Sequence, residues 1–254
     1  MIKSEADSPK LFSPLPTIAI TIGVFLGSQI FAGILVSLIP LILRWDSARV
    51  NIWTENNIWL SFSFVVISEV ITLGVLYQIL KFRGLSFKNI GINKLQLKHI
   101  AYTLTGFAIY FVLYILGIVI IKAIFPQLDL DKKQEIGFDT NTRGLALLPA
   151  FISLVILVPI TEEIITRGFL YGGLRTKLPV FIAAGITSLF FAVAHLGEAS
   201  EGLLWVAAID TFILSIVLCY LREKTNSLWP SIGVHMIKNF IAFIIIFKIV
   251  NYFR

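Results

Sequence analysis

The chain places two adjacent glutamates, Glu162 and Glu163, at the end of a long apolar run, with Arg167 close behind. Glu163 and Arg167 are four residues apart with the acid first, which is the favoured order for an ion pair on a helix. Neighbouring helical residues point about 100° apart, so the two glutamates cannot share one pocket side by side without local distortion. We predict that Glu163 and Arg167 form a structural pair while Glu162 faces a cavity, where a carboxylate can act as a general base. The alternative is that both acids lie at the membrane interface, near a helix end.

Two histidines lie in later apolar runs. His195 ends the stretch ITSLFFAVAHLG, with Phe191 one turn earlier on the same face. His235 and Asn239 are four residues apart and share a helix face, where imidazole and carboxamide can both donate hydrogen bonds to an oxyanion. An interfacial or core position is the alternative for His195. The third histidine, His99, stands at a helix start and is expected to be inert.

A zinc site is the main alternative chemistry. Two histidines and a carboxylate are a legitimate zinc ligand set. The chain has no HExxH motif, in which one helix turn supplies two ligands, and its single cysteine, Cys219, excludes both an intrachain disulfide and a cysteine cluster. We therefore predict that the site uses neither a metal nor another cofactor.

Three further ionisable side chains fall within apolar runs. A charge at membrane depth costs roughly 2.5–3.5 kcal/mol on insertion scales and usually has a function. Glu69 could pair with a neighbouring helix, and Asp210 could line the same cavity as Glu162. Lys122 lies near the end of its run and is expected to extend its ammonium group to the membrane surface.

The composition indicates that all these residues are carried by membrane helices. Of the 254 residues, 57% are hydrophobic and 14% are charged, whereas soluble domains have about 25% charged residues. A helix crosses the bilayer core with about 20 apolar residues, and seven runs qualify. We predict an all-α polytopic membrane protein with seven helices, or eight if one run contains a re-entrant or split element. The runs are 17–43, 57–80, 99–125, 144–166, 179–196, 203–221 and 228–250.

Lysine and arginine in the loops predict the orientation. The N-terminal tail and the second, fourth and sixth loops are basic, whereas the fifth, LGEASEG, has no basic residue. This pattern predicts a cytoplasmic N-terminus, although Lys132, Lys133 and Arg143 in the third loop are exceptions. The net charge of +6 then favours anionic lipid headgroups as partners rather than nucleic acid. The basic residues of the N-terminal tail, which are part of this orientation pattern, are Lys3 and Lys10.

Three motifs together resemble the CPBP family, the CAAX proteases and bacteriocin-processing or Abi proteins. These are intramembrane glutamic endopeptidases related to the type II CAAX prenyl endopeptidases. The motifs are EExxxR at 162–167, FxxxH at 191–195 and HxxxN at 235–239. The resemblance covers about 148–245, so we expect 141–254 to form the catalytic core around a conical or bundle-like cavity. Residues 1–140 would be accessory helices of the same membrane domain.

The resemblance implies a role for each motif residue in peptide hydrolysis without a metal. Glu162 would activate water, and His195 would bind and polarise that water. His235 and Asn239 would stabilise the oxyanion. The supporting residues would be Glu163, Arg167 and Phe191. The substrate would be a peptide or membrane protein that could carry a lipid, in the cell membrane of a prokaryote.

Two other functions are open. A non-catalytic scaffold, regulator or bacteriocin-immunity protein would keep the same fold. A transporter could use Glu69, Asp210 and the two glutamates as an ion path, although no internal repeat is recognisable.

The predicted helices also leave a mismatch in depth. At about 1.5 Å per residue, His195 lies roughly 24 Å from the start of its run and His235 roughly 10 Å from the start of its own. The two histidines can meet only if helices tilt or if the fifth helix starts later.

Overall fold

The computed structural model describes residues 11–54, 57–130, 132, 136–197 and 202–248. Lys3, Lys10, Lys133 and most of the fifth loop, which contribute to the predicted orientation, lie outside these residues. The described residues form eight helices and no strand. They are α1 (Pro14–Ile42), α2 (Ser47–Thr54), α3 (Ile58–Phe82), α4 (Leu97–Ile124), α5 (Gly144–Leu174), α6 (Val180–Ala194), α7 (Trp205–Thr225) and α8 (Trp229–Ile246).

Each of the seven predicted apolar runs corresponds to one helix, which confirms the predicted fold class. Six of the helices are long and apolar enough to cross a membrane, and α6 is a shorter apolar helix. The chain is therefore a polytopic integral membrane protein. The additional helix, α2, has eight residues, several of them polar, so it is not the re-entrant apolar element that the sequence left open.

Helix α5 continues to Leu174, eight residues past the predicted end of the fourth run at 166. The helix continues through the glycines after Arg167, where neighbouring side chains occupy the space that a larger residue would fill. A Cβ added at Gly168 would lie 3.1 Å from Ile90 and 3.2 Å from Leu228, and one added at Gly173 would clash with Thr17. Glycine here allows close packing inside the protein.

Asn93, in the loop between α3 and α4, fixes the start of α8. Its carboxamide nitrogen donates to the carbonyl of Asn226, the left-handed residue that ends α7, at 2.9 Å. The Ser227 hydroxyl donates to the Asn93 side chain at 2.9 Å, and the Trp229 indole donates to its backbone carbonyl. These bonds set the position along α8 at which His235 enters the bundle.

The division at residue 140 stays a prediction, but α1 and α3 are not separate from the rest of the chain. Both helices pack against α5. A core cluster joins Leu76 and Leu80 of α3 to Ile164 and Phe169 of α5. The N-terminal helices therefore form one wall of the space beside the glutamates.

The fit of α1 against α5 predicts opposite effects for two glycine substitutions. Gly173→Ala should lower the free energy of unfolding, because overpacking typically costs about 1–3 kcal/mol. Gly185→Ala in α6, where an added Cβ meets nothing within 4 Å, should raise it by up to about 1 kcal/mol, because alanine favours helix. Equilibrium unfolding of both variants in detergent measures the difference, and shifts of the same sign would contradict this account of α1.

Candidate active site

Helix α5 is widened by two π-helical stretches, Ile152–Leu157 and Ile164–Leu170, on either side of the glutamates. In the first stretch the Val158 amide donates to the carbonyl of Ser153, five residues back. The next donor along the helix would be residue 159, but Pro159 has no N–H. The carbonyl of Leu154 therefore has no amide from its own helix.

Asn239 of α8 supplies the missing donor. Its side-chain nitrogen lies 2.9 Å from the Leu154 carbonyl oxygen. A carboxamide has two N–H groups, so one is used to hold α8 against α5 and the other can donate elsewhere. Sequence reasoning placed Asn239 at the site, but this bond depends on a π-helical register that no local sequence pattern reveals.

Glu163 and Arg167 form the ion pair that their spacing predicts. Arg167 Nη1 lies 2.8 Å from Glu163 Oε1, and both side chains are fully buried. The same nitrogen also donates to the Thr166 hydroxyl at 2.9 Å. The guanidinium lies over the ring of Phe191, with Cζ 4.4 Å from the ring centroid. Phe191 therefore supports the site through a cation–π contact.

His235 lies between the two glutamates. Its Nδ1 is 3.0 Å from Glu163 Oε1, and its Nε2 is 3.6 Å from Glu162 Oε2. The adjacent acids thus contact different nitrogens of one imidazole rather than each other, as the angle between neighbouring helical residues requires. Because a carboxylate only accepts, Nδ1 carries a hydrogen, and donation from Nε2 as well requires the imidazolium form.

His195 lies just past the end of α6. Its Nδ1 is 2.8 Å from the carbonyl oxygen of Phe191, which can only accept, so Nδ1 carries the hydrogen. The lone pair of the neutral ring is then on Nε2, which can accept a hydrogen bond from water. The FxxxH spacing thus sets the tautomer of His195 through the backbone of its own helix.

Both histidine rings lie next to the ring of Phe191, so the two histidines meet despite the predicted mismatch in depth. The Phe191 ring centroid is 4.6 Å from that of His195 and 5.8 Å from that of His235. A later start for the fifth helix is wrong, because α6 begins at Val180, one residue from the predicted start. Of the two explanations that the sequence offered, tilted helices therefore remain.

Glu162 lines a cavity of about 180 Å³ between α1, α3 and α5. Its side chain is 16% exposed, whereas that of Glu163 is fully buried. The cavity has room for several water molecules, since one water takes about 30 Å³ in the liquid. The polar residues that line it are Gln29, Ser68, Glu69, Thr72, Thr161 and Glu162. Gln29 and Thr161 were missed in the sequence, because nothing local marks them.

The remaining ionisable groups have other positions. Asp210 is not among the described residues of this cavity, contrary to expectation. It accepts from the Tyr110 hydroxyl at 2.5 Å and pairs with Lys238 at 3.1 Å, because the face of α7 that carries it packs against α4 and α8. His99 Nδ1 accepts from the Gln96 amide at the start of α4, a capping role. Among the described residues, no group of three or more His, Cys, Asp or Glu side chains is placed to hold a metal ion.

The fold and the site define a helical membrane protein with a carboxylate–histidine cluster inside its bundle. Residues 144–241 match the family described as "Type II CAAX prenyl endopeptidase Rce1-like". This match includes every residue of the three motifs. It agrees with the family that the motifs predict, although it covers less than half of the chain.

The chain is also similar to two bacterial proteins. "Uncharacterized protein YyaK" of Bacillus subtilis (strain 168) is 28% identical over 204 residues, which is 79% of this chain and 60% of the relative. "Putative membrane peptidase YdiL" of the same organism is 30% identical over 114 residues, 43% of each chain. The matches thus span less than two thirds of either relative. No solved structure matches the chain.

The burial of the Glu163–Arg167 pair predicts a large loss of stability when one partner is removed. Arg167→Met should lower the free energy of unfolding by about 3–5 kcal/mol, because it leaves a buried carboxylate without a counter-charge. Arg175→Met is the matched control, since the Arg175–Glu223 pair is 31% and 36% exposed and such pairs contribute about 0–1 kcal/mol. Equal losses for the two variants, in detergent unfolding, would contradict the structural role of Arg167.

The contact between Asn239 and Leu154 predicts coupling between Asn239 and Pro159. Asn239→Leu should cost about 1–3 kcal/mol, because it leaves the Leu154 carbonyl unsatisfied. In a Pro159→Ala background the cost should fall by about 1 kcal/mol, because residue 159 then has an N–H that can reach this carbonyl. A double-mutant cycle of unfolding free energies measures the coupling, and strict additivity would exclude this explanation of the bond.

Proposed function

We propose that this protein is an intramembrane endopeptidase in which Glu162 activates a water molecule. The observation that carries the proposal is the unequal setting of the two glutamates. Arg167 compensates the charge of Glu163, whereas Glu162 lines a water-sized cavity with an imidazole nearby. The match of residues 144–241 to the Rce1-like family supports the same reaction.

Glu162 acts as the general base. Its carboxylate removes a proton from water as the water oxygen bonds to the carbonyl carbon of the substrate, which gives a tetrahedral oxyanion. His195 accepts a hydrogen bond from the same water through Nε2 and orients its lone pair toward the substrate. Positioned proton transfer of this kind typically contributes about 10²–10⁴-fold to the rate.

His235 and Asn239 donate to the oxyanion. Asn239 does so with the N–H that does not bond Leu154, and His235 does so from Nε2 as the imidazolium. Before the reaction the charge of that imidazolium is matched by the Glu162 carboxylate, 3.6 Å away, and once Glu162 has taken the proton it is matched by the oxyanion. Hydrogen bonds that are already oriented in a low-dielectric site stabilise developing charge more than the same bonds in water.

The substrate in this proposal is a peptide or membrane protein with large apolar residues near the scissile bond. An apolar groove of about 800 Å³ runs between α1, α2 and α3. Phe64 and Val65 line both this groove and the Glu162 cavity. A peptide with apolar side chains in the groove would therefore reach Glu162. In this proposal the protein lies in the cell membrane with its own N-terminus in the cytoplasm.

The test compares new protein N-termini, by mass spectrometry of whole membranes, between cells that express wild type and cells that express Glu162→Gln at matched levels. We expect termini that are present with wild type and reduced at least about 100-fold with Glu162→Gln, because the base is lost while the shape is kept. Glu223→Gln is the control carboxylate, since Glu223 pairs with Arg175 away from the cavity.

Purified wild-type protein should then reproduce the cuts on synthetic peptides. Wild-type termini in the Glu162→Gln cells would contradict the proposed base. If no termini differ under any growth condition, the non-catalytic scaffold or immunity function replaces the peptidase.

A further inference from the structure

A second acidic side chain reaches the Glu162 cavity from outside the segment that matches the family. Glu69 belongs to α3 and lines the same cavity as Glu162. Thr161, one residue before Glu162, also lines this cavity. The family match begins only at residue 144, so the three motifs give Glu69 no role.

The surroundings of Glu69 favour the protonated acid. In the proposed site the His235 imidazolium compensates one carboxylate, that of Glu162. A second carboxylate in the same low-dielectric cavity would need a cation of its own. None of the described residues that line the cavity is Lys, Arg or His. From α1 the lining residues are Phe25 and Gln29, and from α5 the one titratable group is Glu162, which has His235 on its other side. A protonated carboxyl group can donate a hydrogen bond, which a carboxylate cannot do.

We propose that Glu69 holds a proton and donates it to the amine that leaves when the peptide bond breaks. The inference rests on the proposed peptidase function and adds a second catalytic carboxyl group to it. Peptide hydrolysis needs such a donor, because an amide nitrogen leaves as a neutral amine only if it gains a proton. Paired carboxyl groups of unequal protonation divide acid and base roles in this way in other enzymes.

The proton count closes over one cycle. The Glu162 carboxylate takes one proton from water, and the remaining hydroxide oxygen bonds to the carbonyl carbon. The C–N bond then breaks while its nitrogen takes the proton of the Glu69 carboxyl group, which gives a carboxylic acid and an amine. Water in the cavity carries the proton from Glu162 back to Glu69, so both groups return to their starting states.

Glu69→Gln should slow hydrolysis of a peptide far more than hydrolysis of an activated ester with the same acyl part. The probes are a short peptide that copies a cut found by the terminus comparison, and the 4-nitrophenyl ester of its acyl half. Nitrophenolate leaves without a proton, so Glu69→Gln should lower kcat by at least about 100-fold on the peptide and less than about 10-fold on the ester. KM should change little, and Glu69→Asp should restore part of the peptide rate.

The controls separate this inference from the proposed function. Glu162→Gln should lose both reactions, because both need activated water. Thr72→Val removes a polar group from the same cavity wall and should affect both substrates to the same extent. If Glu69→Gln slows both substrates equally, or neither, while Glu162→Gln loses both, then Glu69 is not the proton donor and the peptidase proposal stands.

Infrared spectroscopy of the purified full chain in detergent tests the proton on Glu69 without any substrate. At neutral pH the C=O band of a protonated carboxyl group should be present in wild type, lost in Glu69→Gln and retained in Glu223→Gln, where the removed carboxylate pairs with Arg175. A spectrum of Glu69→Gln that keeps the full wild-type band would overturn the inference, even if no peptide substrate has been found.

Discussion

The buried ion pair between Glu163 and Arg167 is the interaction on which the rest of the site depends. A full charge inside a membrane protein is stable only beside an opposite charge, and this pair has no exposure to solvent. Arg167 also lies over Phe191, and Glu163 binds one nitrogen of His235. One pair on α5 therefore orients a residue from each of α6 and α8, and leaves Glu162 as the acid that faces the cavity.

The second constraint is the widened helix that carries this pair. Pro159 and the π-helical register before it leave the Leu154 carbonyl for Asn239, so a departure from regular helix becomes the contact point for α8. Such π-helical turns occur frequently at functional sites in other proteins. Here the same irregular stretch presents both glutamates and accepts a neighbouring helix, which links the position of His235 to the conformation of α5.

The N-terminal helices complete the site instead of only surrounding it. Without α1 and α3 the wall opposite Glu162 would be absent, and with it Gln29, Glu69 and the apolar groove that shares Phe64 with the cavity. The family match stops short of these helices. Glu69 and the groove therefore belong to a part of the chain that lies outside the shared motifs.

The sequence by itself determined the seven apolar helices, the three motifs and the Glu163–Arg167 pair, because hydropathy and a spacing of four residues are local properties. It could not determine that α5 runs on through its glycines, since their effect depends on Thr17, Ile90 and Leu228 on other elements. Only the tertiary structure decided that Asp210 pairs with Lys238 away from the cavity while Glu69 enters it. Both acids lie in apolar runs, and the face that each presents to a partner depends on how its helix packs.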